Sequence, residues 1–251
     1  MLSARNVVKS FGGFVALDKC TLDIAARSIT GIIGPNGAGK STLFNLFAGV
    51  IAPDSGTVSL GDRNIAGLRP DQLAGLGLVR TFQISRELGE LTVLENMLLA
   101  SPSQSGEAVW RLLVSPGRVR TEQSAAIAKA RTLLEQVSLW PLANESAKNL
   151  SGGQKKLLEI SRALMLDPAI ILLDEPTAGV SPLMTKMLGE TITRLRDQGL
   201  TFAIIEHDMD VIAGLCDPIY VLAEGRTLMS GTFREVASNR DVMHAYLGKV
   251  A

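Results

Sequence analysis

Apolar positions in this chain fall into two alternating patterns. Short apolar runs, rich in β-branched residues, occupy 29–33, 170–173 and 201–205, and each ends abruptly in a polar or glycine-containing stretch. Runs of that length and composition predict buried strands. Elsewhere apolar residues recur at helical spacing, over 42–48, 91–100, 125–137, 154–166 and 182–196, with two shorter segments at 232–237 and 241–247. Gly49 stands where the first helix would stop, and Thr92 and Glu95 are placed as a capping box for the second. Buried strands separated by helices predict a mainly parallel sheet covered on both faces.

The ends and the middle of the chain read differently. Residues 2–33 are β-rich, with strands at Val7-Val8 and 21–24 and a turn at Gly12-Gly13. A turn at 53–56 leads into a strand at 57–60, and Glu224-Gly225 joins 218–222 to 226–229 as a hairpin. From about 84 to 166 helix dominates. The predicted class is therefore α/β, one domain in which 1–83 and 167–251 form the core with an N-terminal antiparallel β subdomain, and about 84–166 form a helical subdomain.

Composition narrows the partners. Of 251 residues, 46% are hydrophobic and 20% charged, which excludes disorder. Lysine plus arginine equals aspartate plus glutamate at 25 each, so nothing suggests electrostatic capture of nucleic acid or of an acidic membrane. Cys20 and Cys216 lack metal-ligand spacing and read as buried, reduced thiols of a cytosolic protein. The N-terminus lacks the apolar core of a signal peptide, and no apolar run is long enough to span a bilayer. A cytoplasmic location is expected, with attachment to any membrane supplied by another chain.

The candidate chemistry sits at strand ends, where ligands bind in open α/β sheets. After the strand 29–33 comes Gly34-Pro35-Asn36-Gly37-Ala38-Gly39-Lys40-Ser41-Thr42, which fills the phosphate-loop pattern G-x-x-x-x-G-K-[ST] between a strand and a helix. Glycines bring backbone N–H groups close to an anion, and the positive end of the next helix faces the same point. Lys40 reaches β- and γ-phosphates, and the Ser41 hydroxyl ligates Mg²⁺. After the strand 170–173 stand Asp174, placed to hold Mg²⁺ opposite Ser41, and Glu175, placed to polarise a water for attack on the γ-phosphate. At Leu150-Ser151-Gly152-Gly153-Gln154 a serine and two glycines open a helix, making a second anion site. The two anion sites either converge within the chain or pair between two copies. Phe11, beside the glycine turn, is either core packing or a platform for an adenine ring. Gln83 and His207 carry little signal when taken alone.

Taken together, Gly34 to Thr42, Gln83, Leu150 to Gln154, 170–175 and His207 resemble the nucleotide-binding domain of ATP-binding cassette (ABC) transporters, over essentially the whole chain. LSGGQ, the hallmark of that family, stands without substitution. The resemblance implies a P-loop NTPase fold, ATP and Mg²⁺ as ligands, and a head-to-tail dimer with a second copy or a paralogous ATPase. Each ATP would lie between one phosphate loop and the partner's Ser151-Gly152-Gly153. It further implies Phe11 as adenine platform, Glu175 as general base, and His207 as the residue touching the γ-phosphate. Gln83 would sense Mg²⁺ and the attacking water, and would link to transmembrane permease subunits at the inner face of the membrane. The segment TAGVSP after Pro176 departs from the family, many of whose members end it with aspartate. Val79-Arg-Thr-Phe-Gln83, 91–96, 205–209 and 245–248 are similar to ATP-binding subunits of branched-chain amino acid importers, which work with an extracytoplasmic solute-binding protein. Importers of urea, amides or aromatic acids and the ATPase of lipopolysaccharide export share these features. A soluble cassette ATPase acting on ribosomes or DNA is the further alternative, although the chain has one cassette and no basic patch.

Overall fold

Three strands, β3 (Ile29–Ile33), β7 (Ile170–Asp174) and β8 (Thr201–Ile205), are buried at every position. Apolar side chains on both faces of a strand require cover on both faces, and such strands sit at the centre of a parallel sheet. A computed structural model describes residues 1–81, 88–102 and 116–247 of the chain. Gln83, the residues 84–87, the loop residues 103–106 and Gly248 lie outside the described residues.

Among the described residues the strands form two sheets. One has the order β10-β9-β3-β8-β7-β6, with β6 (Leu78–Arg80), β9 (Ile219–Ala223) and β10 (Arg226–Gly231) completing it. Its strands run parallel except β10, which pairs antiparallel with β9 around Glu224-Gly225. The other is antiparallel, in the order β2-β1-β4-β5, built from β1 (Leu2–Phe11), β2 (Phe14–Ile24), β4 (Ser55–Leu60) and β5 (Arg63–Asn64). The expected strands at Val7-Val8 and 21–24 are parts of β1 and β2, which are longer because bulges re-register the pairing after Ala4, Val7 and Lys9.

The chain divides into two units. The first comprises Met1–Gln83, Ala169–Ala178 and Gly189–Ala251. It holds both sheets, α1 (Lys40–Phe47), α2 (Pro70–Gly75), α7 (Met209–Leu215), α8 (Phe233–Ser238) and α9 (Arg240–Leu247). Its core joins Leu2, Leu22 and Val58 of the antiparallel sheet to Phe44 and Phe47 of α1 and to Leu172 and Ala203 of the parallel sheet. Helices α2 and α7 fall where the sequence pattern predicts no element. Pro70 presets the first turn of α2, and the Asp208 carboxylate accepts from the Asp210 and Val211 amides to open α7.

The second unit comprises Ile84–Pro168 and Gly179–Leu188. Here α3 (Val93–Leu99), α4 (Pro116–Gln136) and α5 (Gly152–Leu164) pack on one another, and Val93, Met97, Ala130, Leu134, Leu157 and Leu158 are buried. Helix α4 starts earlier than the apolar periodicity from 125 indicates. Asn96 is fully buried, and its side chain accepts from the Leu88 amide at 3.0 Å and donates to the Thr92 carbonyl at 3.0 Å, which fixes the entry to α3. The long helix α6 (Pro182–Asp197) passes from one unit to the other between Leu188 and Gly189.

Candidate nucleotide site

The phosphate loop joins β3 to α1 through backbone that side chains would block. Gly39 caps α1 in the left-handed region at φ 96°, and a Cβ there would lie 2.6 Å from the Ala16 carbonyl oxygen. No side chain caps α1 among the described residues, which leaves its first N–H groups without a side-chain acceptor there. Lys40 is buried, and its Nζ donates to the Gly34 carbonyl at 2.7 Å and to the Pro35 carbonyl at 3.0 Å. Burial lowers the pKa of this ammonium, opposed first by Glu175 and then by Asp174. Ser41 and the tip residues Asn36 and Gly37 are exposed.

Two carboxylates close the end of β7. Asp174 is buried, and its Oδ2 accepts from Arg80 Nη2 at 2.8 Å. Arg80 also donates from Nη1 to Asn45 Oδ1 of α1 at 2.5 Å and lies over the Phe44 ring at 5.8 Å. Glu175 turns the chain in the left-handed region at φ 48°. Its amide donates to the Ile205 carbonyl at 2.9 Å, and its Oε1 lies 2.9 Å from His207 Nε2. Glu206, between those two β8-end residues, is buried and accepts from Thr177 and from the His207 amide.

Lys40, Asp174, Glu175 and His207 thus lie in one unit, at the start of α1, at the end of β7 and just beyond it, and just beyond the end of β8. Phe11 is about half exposed at the β1–β2 turn, with Lys9 Nζ 5.5 Å from its ring. Ser151, Gly152, Gly153 and Gln154 belong to the second unit and open α5. The Ser151 hydroxyl accepts from the Gln154 amide, and the Gln154 side chain accepts from the Ser151 amide at 2.8 Å. Gly153 packs so tightly that a Cβ would lie 2.6 Å from Met184 Cβ. Gln83 lies outside the described residues.

Among the described residues no cluster of three or more His, Cys, Asp or Glu side chains is able to hold a metal ion. One buried carboxylate and one hydroxyl, Asp174 and Ser41, suit a hard cation that takes its remaining ligands from phosphate oxygens and water, as Mg²⁺ does. The cysteines are buried and free; burial raises the Cys20 thiol, and burial, then Glu206, push the Cys216 thiol up to about 12.

Arg80, Asn45, Thr177 and Glu206 were not singled out by sequence. The pair of Arg80 with Asp174 spans 94 positions and that of Thr177 with Glu206 spans 29, so no local spacing marks them.

The profile of the ABC transporter family matches residues 17–178. The chain is 41% identical to the high-affinity branched-chain amino acid transport ATP-binding protein LivG of Salmonella typhimurium, over 99% of this chain and 98% of the relative. It is 37% identical over the same shares to the high-affinity branched-chain amino acid transport ATP-binding protein BraF of Pseudomonas aeruginosa. It also resembles the crystal structure of a nucleotide-free ATP-binding cassette from an ABC transporter, with a TM-score of 0.87, 37% identity and 99% of each chain covered. A dimeric post-hydrolysis cassette bound to ADP and Pi gives a TM-score of 0.76 at 26% identity, covering 93% of this chain and 99% of that one. Among the described residues no helix is long and apolar enough to cross a membrane.

Proposed function

The chain belongs to the ABC transporter family, and from that membership we propose that it is the ATP-hydrolysing, energy-coupling subunit of an importer for branched-chain amino acids or closely related small solutes. The observation that carries this reading is the likeness to LivG along 99% of the chain. The gathering of Lys40, Asp174, Glu175 and His207 in one unit supports it.

The chain's own groups divide the work. Phe11 stacks on adenine, and the backbone of 34–42 with the N-terminus of α1 cradles the phosphates. Lys40 gives up the Gly34 and Pro35 carbonyls for β- and γ-phosphate oxygens. Ser41, Asp174 and Gln83 would hold Mg²⁺. That cation, when bound, neutralises charge on the β- and γ-phosphates. The Glu175 carboxylate takes a proton from the water that attacks the γ-phosphorus, and His207 contacts the γ-phosphate, giving ADP and phosphate. Ser151 to Gln154 of a second cassette, from this chain or a paralogue, complete the site. The dimer works on transmembrane permease subunits at the inner face of the membrane, supplied by an extracytoplasmic solute-binding protein.

Uptake of labelled leucine, isoleucine and valine by cells lacking this chain tests the reading, with the wild type or Glu175→Gln returned to them. Uptake is expected only with the wild type, and the purified variant is expected to bind ATP while hydrolysing it about 100-fold more slowly or less. Equal uptake in all strains removes the branched-chain cargo, and undiminished hydrolysis by the variant removes Glu175 as base.

A further inference from the structure

Glu206 is a buried carboxylate that the proposed chemistry does not use. Its Oε1 accepts from the Thr177 amide at 2.9 Å and from the Thr177 hydroxyl at 2.6 Å, and its Oε2 accepts from the His207 amide at 3.1 Å. Three donors converge on one side chain, and a carboxylate is the group that accepts from all of them at once. Both segments it joins carry a reacting group. Thr177 stands two residues after Glu175, in a turn closed by the Ala178 amide on the Glu175 carbonyl at 3.2 Å. That turn places Glu175 at φ 48°, a strained conformation for a side chain with a Cβ that persists only where surrounding bonds impose it. One bond that imposes it is the Glu175 amide on the Ile205 carbonyl; the other anchor is Glu206 on Thr177. His207 follows Glu206 directly, and its Nε2 lies 2.9 Å from Glu175 Oε1.

We propose that Glu206 is a positioning residue for ATP hydrolysis, a brace that holds the Glu175 turn and the His207 backbone as one rigid piece. This inference rests on the reading of Glu175 as base and His207 as γ-phosphate contact. The brace fixes where the base stands relative to the histidine before the nucleotide arrives, so little reorganisation is left for the transition state. Its loss therefore lowers turnover and leaves ground-state ATP binding, which the phosphate loop supplies, in place.

The test uses Glu206→Gln, Thr177→Val and Thr177→Ser in the full chain. Glutamine is nearly isosteric but puts an amide donor against an N–H donor whichever way it is turned. Glu206→Gln is expected to lower kcat about 10- to 100-fold with the Kd for a fluorescent ATP analogue within about twofold of wild type. Thr177→Val, which keeps the amide but loses the hydroxyl, gives a smaller loss, and Thr177→Ser restores it. The double variant Glu206→Gln, Thr177→Val is expected to be no slower than Glu206→Gln alone, since both break the same brace. Hydrogen exchange supplies a readout independent of catalysis: the Thr177 and His207 amides exchange faster together in Glu206→Gln, and amides of α1 do not. Full turnover in Glu206→Gln while Glu175→Gln is inactive overturns the inference alone. Full turnover in Glu175→Gln overturns the reading of the base, and the brace is then judged by exchange, where unchanged Thr177 and His207 amides overturn it. A kcat loss that only follows a loss of folded protein by thermal melting also overturns it.

Discussion

Arg80 faces a carboxylate that has almost no access to water. The Asp174 side chain is 1% exposed and that of Arg80 17%, and the two meet at 2.8 Å. A charge taken that far from solvent persists only with a partner in good geometry, and removing one member leaves the other uncompensated at a cost of about 3–5 kcal/mol. Arg80→Met is therefore expected to lower stability by about that amount, and adding Asp174→Asn to recover part of it. Urea unfolding of both single variants and the double variant decides this; strictly additive losses would show that the pair is not coupled. Arg80 has a further role in aligning α1, through Asn45 and the Phe44 ring, while its Nε is buried without a hydrogen-bond partner among the described residues. None of this was legible in the sequence. Asp174 stands out there because a carboxylate ends an apolar strand after a phosphate loop, a local pattern. Arg80 is one letter of Val79-Arg-Thr-Phe-Gln83, and its partner is chosen by the adjacency of β6 and β7, a fact of the sheet.

Elements with local start signals were the readable ones. Thr92 and Glu95 form the expected capping box, with the Thr92 amide donating to Glu95 Oε2 at 2.7 Å and the Glu95 amide donating to the Thr92 hydroxyl at 3.1 Å. Ser151 with Gln154 and Thr232 with Glu235 do the same for α5 and α8. Helix α7 carries an equally local signal, the Asp208 cap, and was missed although its seven residues match the length of α3. Thr92→Ala should cost about 1 kcal/mol, measured by denaturant midpoint. The Glu95 carboxyl is held below its ordinary 4.5, first by the Thr92 amide and then by the Thr92 hydroxyl. A depressed carboxylate stabilises the fold above its unfolded value and loses that contribution as pH falls through the lower folded value. The wild type is thus expected to be more stable than Glu95→Gln at pH 7, with the gap closing below about pH 4.5. A gap constant across that range would mean that the carboxylate charge plays no part in the cap.

At the scale of the molecule, the two candidate anion-binding segments lie in different units: the phosphate loop in the first, Ser151 to Gln154 in the second. The parallel core was readable because β3, β7 and β8 are buried on both faces and so leave unbroken apolar runs. Which unit a segment packs with is set by tertiary contact instead: Gly179–Leu188 follows a core strand in sequence yet groups with the helices of 84–168. The pairing of the two anion sites is likewise outside local pattern, and the proposed head-to-tail dimer makes it measurable. In a Glu175→Gln background, ATP is expected to shift the chain from 26.7 kDa to twice that mass by light scattering. Adding Ser151→Arg should abolish the shift, since a long cation replaces a small hydroxyl at the helix start that the proposed dimer sets against the partner's nucleotide. The same variant should bind a fluorescent ATP analogue as a monomer within about twofold of its parent, because its own phosphate loop is untouched. Monomer binding that falls as steeply as dimerisation would instead mean that both anion sites hold the nucleotide within one chain, and the cassette would then have no need of a second copy to close around ATP.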